Sequence, residues 1–355
     1  MTVDYNVLQN FLDIDDLELN YHRVTTDINS IDIEDGIEWI FKYYRKQGFP
    51  HYTVREEEKH LHIELLRRLD SDSIFINNQI QQTMHSLRLA WSYFPHWVDV
   101  QCGNSKMPPI GYFNDDDLFK TIIRKTWIWQ EKHGNNKFTE NRLRQSLKLY
   151  QGSQGVSNFR PSAAKVIYEK FGGETVWDMS CGWGGRLLGF LVAKNTKNYI
   201  GTEPSTKTYE GLLKIKKDFH YLGKQIDIYK QGSEDFIPEK ESIDLCFTSP
   251  PYFDTEKYSD ESTQSYKKFS TPNEWVSGFL KKTIENCYSG LKKNGYMLIN
   301  IANTPKYKFI EKETVNISKN IGFIQEPTID LILSSVAGKG VKTEPVFVFK
   351  RKSHE

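Results

Sequence analysis

Cysteine is scarce in this 355-residue chain: only Cys102, Cys181, Cys246 and Cys287 occur, with no Cys-x-x-Cys pair and no histidine beside them at ligand spacing. That scatter argues against a disulfide framework and against a structural zinc site, and no metal is expected. No stretch of eighteen apolar residues occurs either, which argues against a membrane span. Residues 1–30 lack the basic-then-apolar pattern of a secretory signal, so the expectation is a soluble cytoplasmic protein. Hydrophobic residues are few, at 38%, but aromatics reach 14%, which rules out a disordered chain. Length alone makes two domains the default. Neither an internal repeat nor a low-complexity tract is visible.

Strong charge of either sign is missing overall, with 47 Lys+Arg against 46 Asp+Glu, yet its distribution is uneven. Residues 1–40 carry ten acids and one base, Arg23; residues 118–170 carry eleven bases and three acids. A polyanion is drawn to the second stretch and repelled by the first. The plainer alternative is that the basic helices face solvent and the acidic stretch pairs with them, the usual fate of charge runs.

The first 150 residues read as mainly helical, from apolar spacing at Ile37, Ile40, Phe41 and Tyr44 and at Ile122, Ile123, Trp127 and Ile128. Five of the eight tryptophans precede residue 130, as core rings or as stacking platforms. A Gly/Ser/Gln/Asn-rich stretch, residues 151–158, marks a linker, so the expected division is 1–150 and 151–355. Beyond it strand and helix alternate, with strands expected at Thr175–Asp178, Asn198–Glu203, Asp227–Lys230, Ile243–Thr248, Gly295–Ile301, Thr328–Ser334 and Pro345–Lys350. The last two are close enough for a hairpin. The expected fold class is α/β: a Rossmann-like sheet with its final strand reversed, preceded by a mainly helical N-terminal domain.

A strand-to-helix junction at Val176-Trp177-Asp178-Met179-Ser180-Cys181-Gly182-Trp183-Gly184-Gly185-Arg186 offers a tight glycine turn. It is not the G-x-G-x-x-G fingerprint that seats a pyrophosphate. Asp178, before the glycines, suits an amino-acid ammonium. Glu203, ending the next strand before Pro204, suits two ribose hydroxyls. Glu234 and Asp235, after the third strand, suit an adenine amino group. Those three strand ends describe S-adenosylmethionine rather than a nicotinamide cofactor.

After the fourth strand comes Thr248-Ser249-Pro250-Pro251-Tyr252. The lone pair of an exocyclic amino group on cytosine or adenine is delocalised into the ring. Two acceptors held on that nitrogen favour a pyramidal geometry and free the lone pair, and the Ser249 hydroxyl with the Pro250 carbonyl can supply them. Tandem prolines keep the acceptors aimed. The Tyr252 ring offers a stacking surface for a base rotated out of a duplex.

With the glycine turn about 65 residues upstream, Ser249-Pro250-Pro251-Tyr252 resembles the motif of the exocyclic-amino DNA methyltransferases, the N4-cytosine and N6-adenine enzymes of bacteria and their phages. Asn158-Phe159-Arg160-Pro161 resembles the family's segment that closes over the methionine moiety. Residues 295–301 and 342–350 resemble its later strands. The resemblance spans about residues 155–352. It implies catalytic roles for Ser249, Pro250, Pro251 and Tyr252, and a cofactor site of Phe159, Arg160, Pro161, Asp178, Ser180, Gly182, Gly184, Glu203, Pro204, Glu234, Asp235 and Thr248. The substrate it implies is duplex DNA with a flipped-out base; a restriction enzyme is a possible partner, and RNA or a catalytically silent role are alternatives. Serine before the prolines leans toward N4-cytosine. Asp-Met-Ser-Cys departs from the family's usual Asp-Pro or Asp-x-Phe, so Cys181 is expected to pack beneath the turn. The basic surface around residues 120–170 is expected to hold DNA, and the polar loop Phe253–Phe269 to order over it.

Overall fold

The computed structural model describes residues 26–27, 32–134, 137–150, 155–336 and 340–352. The acids before residue 26, half of the linker and the tip between the last two strands lie outside the described residues. Two compact units emerge: residues up to Tyr52 with Pro95–Ser157, and Thr53–Phe94 with everything from Asn158 onward. One junction, at Ser157/Asn158, falls close to the expected border.

In the first unit, helix Ile33–Gln47 starts where Asp32 accepts from the amides of Glu34 and Asp35, at 2.9 and 3.4 Å. Helix Asp116–Lys132 starts on Asp115, which accepts from Leu118 N at 2.9 Å. Such caps satisfy amides that have no partner within the helix. The two helices bury Ile37, Ile40 and Tyr44 against Phe119, Ile122 and Ile123. Trp97 and Trp127 are fully buried as core rings, whereas Trp39 and Trp129 remain partly exposed.

The second unit runs in chain order α1 (Glu56–Arg68), β1 (Phe75–Ile76), β2 (Gln79–Gln81), α2 (Pro161–Phe171), β3 (Thr175–Asp178), α3 (Gly185–Val192), β4 (Asn198–Thr202), α4 (Thr206–Asp218), β5 (Gln225–Tyr229), β6 (Ile243–Thr248), α5 (Ser265–Lys268), α6 (Lys281–Gly290), β7 (Leu291–Asn300), α7 (Ile310–Ile321), β8 (Phe323–Val336) and β9 (Gly340–Arg351). They form one nine-stranded sheet in the order β1-β2-β8-β9-β7-β6-β3-β4-β5. Strands β7, β6, β3, β4 and β5 are parallel, and β9 enters antiparallel between β7 and β8. A Rossmann-like sheet whose final strand, β9, is reversed is the expected fold class; edge strand β1 is reversed too, antiparallel to β2, and ligands in such sheets sit beyond the carboxyl ends of the strands. Helix α3 is buried all round, as its sequence GRLLGFLV predicts. The opposite face carries Trp177, Trp275, Ile284, Cys287, Met297 and Phe349. Each such fully buried side chain contributes roughly 1.5–3 kcal/mol.

Residues 53–94, expected with the N-terminal domain, instead complete the second unit. Lys59 on α1 bridges to Asp218 at 2.6 Å, and the Tyr93 hydroxyl donates to the same carboxylate at 2.7 Å. Strand β2 pairs in parallel with β8, Gln79 opposite Asp330. A helix whose apolar face matches the sheet's helices, and a three-residue strand, find their partners there, which local periodicity cannot show.

Candidate active site

Strand β3 ends at Asp178, and the turn that follows bends through Gly182 (φ +56°) and Gly184 (φ +71°), a backbone region that favours glycine. A Cβ on Gly185 would collide with the Phe159 carbonyl, and the Asn158 amide donates to the Trp183 carbonyl at 2.8 Å. Asn158 and Phe159 thus lie directly against the turn. The Phe159 ring meets Phe247 edge-on at 5.2 Å, and Pro161 opens α2 after Arg160, which contacts Met84.

Asp178 departs from its expected part. Its Oδ2 accepts from Arg186 Nε at 2.9 Å and Tyr199 Oη at 2.8 Å; its Oδ1 accepts from Ser180 N and Thr248 Oγ1, both at 3.3 Å. Those four bonds fill a carboxylate's acceptor positions, so Asp178 braces the turn and has none left for an ammonium. Burial works against the Arg186 charge, and Asp178 outweighs it, raising its pKa. Cys181 packs beneath the turn as expected, its thiol pushed well up by burial and by Asp178.

Glu203, just past β4, accepts from Gly182 N and Ser205 N, each at 3.0 Å. It therefore joins the turn to the start of α4 while one lone pair on each oxygen remains. Burial pushes its pKa up to about 7 against the pull of those two amides. After β5, Glu234 and Asp235 both accept from Lys268, at 2.5 and 2.6 Å. The Asp235 side chain is 59% exposed and that of Glu234 is 3% exposed, with its Oε2 buried and unpartnered.

Strand β6 lies in parallel beside β3, Trp177 opposite Cys246, so Ser249–Tyr252 leaves the sheet at the same end as the glycine turn. Thr248 Oγ1 also reaches the Ser180 carbonyl at 3.4 Å. Pro250 is buried, while Ser249, Pro251 and Tyr252 are half-buried. The Tyr252 hydroxyl donates to the Asn300 carbonyl at 3.3 Å, and the Asn300 amide donates to the Pro345 carbonyl at 3.0 Å. Burial and the neighbouring Glu344 push the Tyr252 phenol well up; burial likewise raises the Glu344 carboxyl. Phe253 takes φ +56° and buries its ring against Trp275. A positive φ in a non-glycine residue marks a backbone fixed by its surroundings.

The segment after the clamp is anchored against the glycine turn and the junction between β4 and α4. Tyr258 meets Trp183 at 5.9 Å, Glu261 caps α4 by accepting from Thr206 N (3.0 Å) and Oγ1 (2.6 Å), and Thr263 donates to the Pro204 carbonyl at 3.2 Å. Asn300, Glu344, Glu261 and Lys268 were not singled out as site residues from the sequence. Each gains meaning only from a pairing more than 30 residues away along the chain.

The basic run also turns out differently. Within the first unit, Lys120 bridges to Glu38 at 2.7 Å and Arg124 pairs with Glu34. Arg144 is buried, donating to the Pro50 carbonyl at 2.7 Å and pairing with Glu140. Within the second, Lys165 is buried against the Arg67 and Leu69 carbonyls, and Lys170 pairs with Asp72. Ion pairing or burial engages five of the eleven bases in that stretch: Lys120, Arg124, Arg144, Lys165 and Lys170. Among the described residues, no group of three or more His, Cys, Asp or Glu is placed to hold a metal ion, and no helix is long and apolar enough to cross a membrane.

The site fits S-adenosylmethionine: a buried acceptor at Glu234 without a protein partner and a carboxylate at Glu203 with open lone pairs. Residues 243–352 match the family model of the N6/N4-type DNA methylases, described as DNA methylase. S-adenosylmethionine is the cofactor that this family and the strand-end chemistry indicate. Among solved structures, a S-adenosylmethionine-dependent methyltransferase from Methanosarcina mazei is similar, with 12% identity, 51% of this chain and 94% of that one covered, and TM-score 0.36. The magnesium protoporphyrin IX methyltransferase of Synechocystis, with S-adenosylmethionine bound, shares 17% identity over 54% of this chain and 76% of that one, TM-score 0.37. No curated protein matches the chain.

Proposed function

We propose, on the premise that residues 243–352 form the catalytic segment of an N6/N4-type DNA methylase, that this protein methylates the exocyclic amino group of a flipped-out base in DNA. The observation that carries the reading is the Thr248 hydroxyl, whose one proton lies between Asp178 Oδ1 at 3.3 Å and the Ser180 carbonyl at 3.4 Å, linking the start of the Ser249–Tyr252 clamp to the glycine turn at one end of the sheet.

S-adenosylmethionine supplies the activated methyl group. Glu203 holds its ribose, Glu234 its adenine, and the backbone of the Ser180–Gly184 turn with Phe159 lines the methionine side. At the clamp, Ser249 Oγ and the Pro250 carbonyl accept hydrogen bonds from the target amino group, localising its lone pair. Tyr252, fixed through Asn300, gives the base a flat surface; base–aromatic stacking is worth about 1–3 kcal/mol. Serine at 249 favours cytosine N4. The experiment is transfer of labelled methyl groups to duplex DNA, followed by detection of the modified base. Transfer to RNA alone, or cofactor binding without transfer, overturns the reading.

A further inference from the structure

Tyr252 is held by more than its bond to the Asn300 carbonyl. Asn300 ends β7 and lies opposite Val346 on the antiparallel β9, so Glu344, two residues before Val346, shares its face at the strand ends that carry the clamp. The Asn300 amide fixes that stretch of β9 through the Pro345 carbonyl at 3.0 Å. There the half-buried Glu344 carboxyl interacts with the Tyr252 phenol and the Asn300 side chain, and the phenol in turn interacts with the Ser249 hydroxyl. Two clamp residues and a strand-end acid are thereby linked, with the Asn300 carbonyl 3.3 Å from the phenol oxygen.

A hydroxyl has one hydrogen and cannot donate in two directions at once. As a carboxylate, Glu344 only accepts. Together with the Asn300 carbonyl it draws the Tyr252 hydrogen to its own side and leaves the phenol oxygen facing Ser249. Ser249 then donates to the phenol, and its lone pairs stay open to an amino group. A protonated Glu344 is a donor and reverses the order: it fills the phenol oxygen, the phenol hydrogen turns to Ser249, and Ser249 becomes the poorer acceptor. Burial holds the Glu344 carboxyl above its usual range against the pull of Lys342, Asn300 and Tyr252, and Glu311 adds to the effect. The remaining charged groups facing the pair are Glu256, which accepts from Tyr258, and Arg186, which is engaged by Asp178. Opposite Glu344 on β8 stands the apolar Leu331.

We propose that Glu344 is a positioning residue for the clamp: by accepting from Tyr252 it sets the direction of the hydrogen bonds running from Ser249 and keeps Ser249 an acceptor. This rests on the methyltransferase reading above and adds a residue to that same site.

The first readout needs neither cofactor nor DNA. In protein carrying 13C-labelled tyrosine, the Tyr252 signal, identified by its loss in Tyr252→Phe, is expected to shift in a step as pH is lowered from 8 to 5. The step survives in Glu256→Gln and Glu311→Gln and is lost in Glu344→Gln. The second readout is single-turnover methyl transfer to duplex DNA, with S-adenosylmethionine saturating at each pH so that Glu203 does not enter. The wild-type rate is expected to fall at least about fivefold over that range, the worth of one hydrogen bond. In Glu344→Gln and Tyr252→Phe, where no carboxyl proton is relayed to Ser249, the ratio of the two rates stays within about twofold. A wild-type signal without the step, a step that survives Glu344→Gln, or an equal fall in rate in all three proteins overturns the role of Glu344 and leaves the proposed function standing. Absence of transfer at every pH removes the proposed function instead, and the tyrosine signal tells the two failures apart.

Discussion

Thr248 donates to Asp178 at 3.3 Å across the boundary between two neighbouring parallel strands. One residue past Thr248 the clamp begins, and two residues past Asp178 the glycine turn begins. The hydroxyl thus adds a side-chain link to the strand pairing that brings together two segments 70 residues apart in the chain. Thr248→Val keeps the shape and removes the link. It should lower the rate of methyl transfer about ten- to a hundredfold, the cost of small misplacements between reacting groups. Cofactor affinity should stay within about twofold; calorimetry and single-turnover methylation check the two halves.

Ser249→Ala and Tyr252→Ala should each lower methylation by about two to three orders of magnitude with cofactor affinity retained. Unchanged turnover in either variant removes the base-positioning argument. Tyr252→Phe separates stacking from the bond to Asn300 and should retain most of the rate.

Cofactor affinity should depend on pH through Glu203, whose pKa lies at about 7 before binding. Ribose hydroxyls donate to the carboxylate, so binding stabilises the ionised form and lowers that pKa. Affinity is then full above pH 7 and weakens as pH falls through 7, approaching about tenfold per pH unit, with a proton released on binding. Glu203→Gln should flatten the profile and weaken affinity at pH 8. A flat wild-type profile between pH 6 and 8 contradicts the assignment.

Arg186→Met strands the buried Asp178 carboxylate without its cation and should destabilise the protein by about 3–5 kcal/mol. Gly185→Ala drives a Cβ into the Phe159 carbonyl and should cost about 1–3 kcal/mol. Gly182→Ala, with nothing closer than 3.8 Å to its Cβ, should lose only about 1–2 kcal/mol from its left-handed backbone. Denaturant titration ranks the three.

Lys120 and Arg124 are engaged by Glu38 and Glu34. Converting both to glutamine should leave DNA affinity within about twofold. If they touch phosphates instead, the salt slope should drop by about 0.9 for each.

The strand ends that frame the candidate site were legible as motifs. Asp178, Glu203, Glu234 and Ser249 each sit at or just after a strand end, because an alternating strand–helix pattern places them there regardless of long-range packing. Thr175–Asp178 and Ile243–Thr248 match their expected bounds; β8 and β9 extend beyond theirs because each continues pairing with the other past the apolar core. What the motifs left open was partnership. Asp178 reads as an ammonium holder until Arg186 and Tyr199 occupy it, and five of the eleven bases from Lys120 to Lys170 have acid or carbonyl partners that the sequence does not reveal.

Amino-acid order alone determined the α/β class, the glycine turn and the proline-backed clamp, since periodicity, backbone freedom and fixed φ act within a few residues. Only the tertiary structure decided that Thr53–Phe94 belongs with the sheet, that the segment after Tyr252 packs on Trp183, Thr206 and Pro204, and which carboxylates keep a free lone pair. Those outcomes turn on burial and on hydrogen bonds between residues far apart in the chain, and such contacts exist only once the strands have stacked.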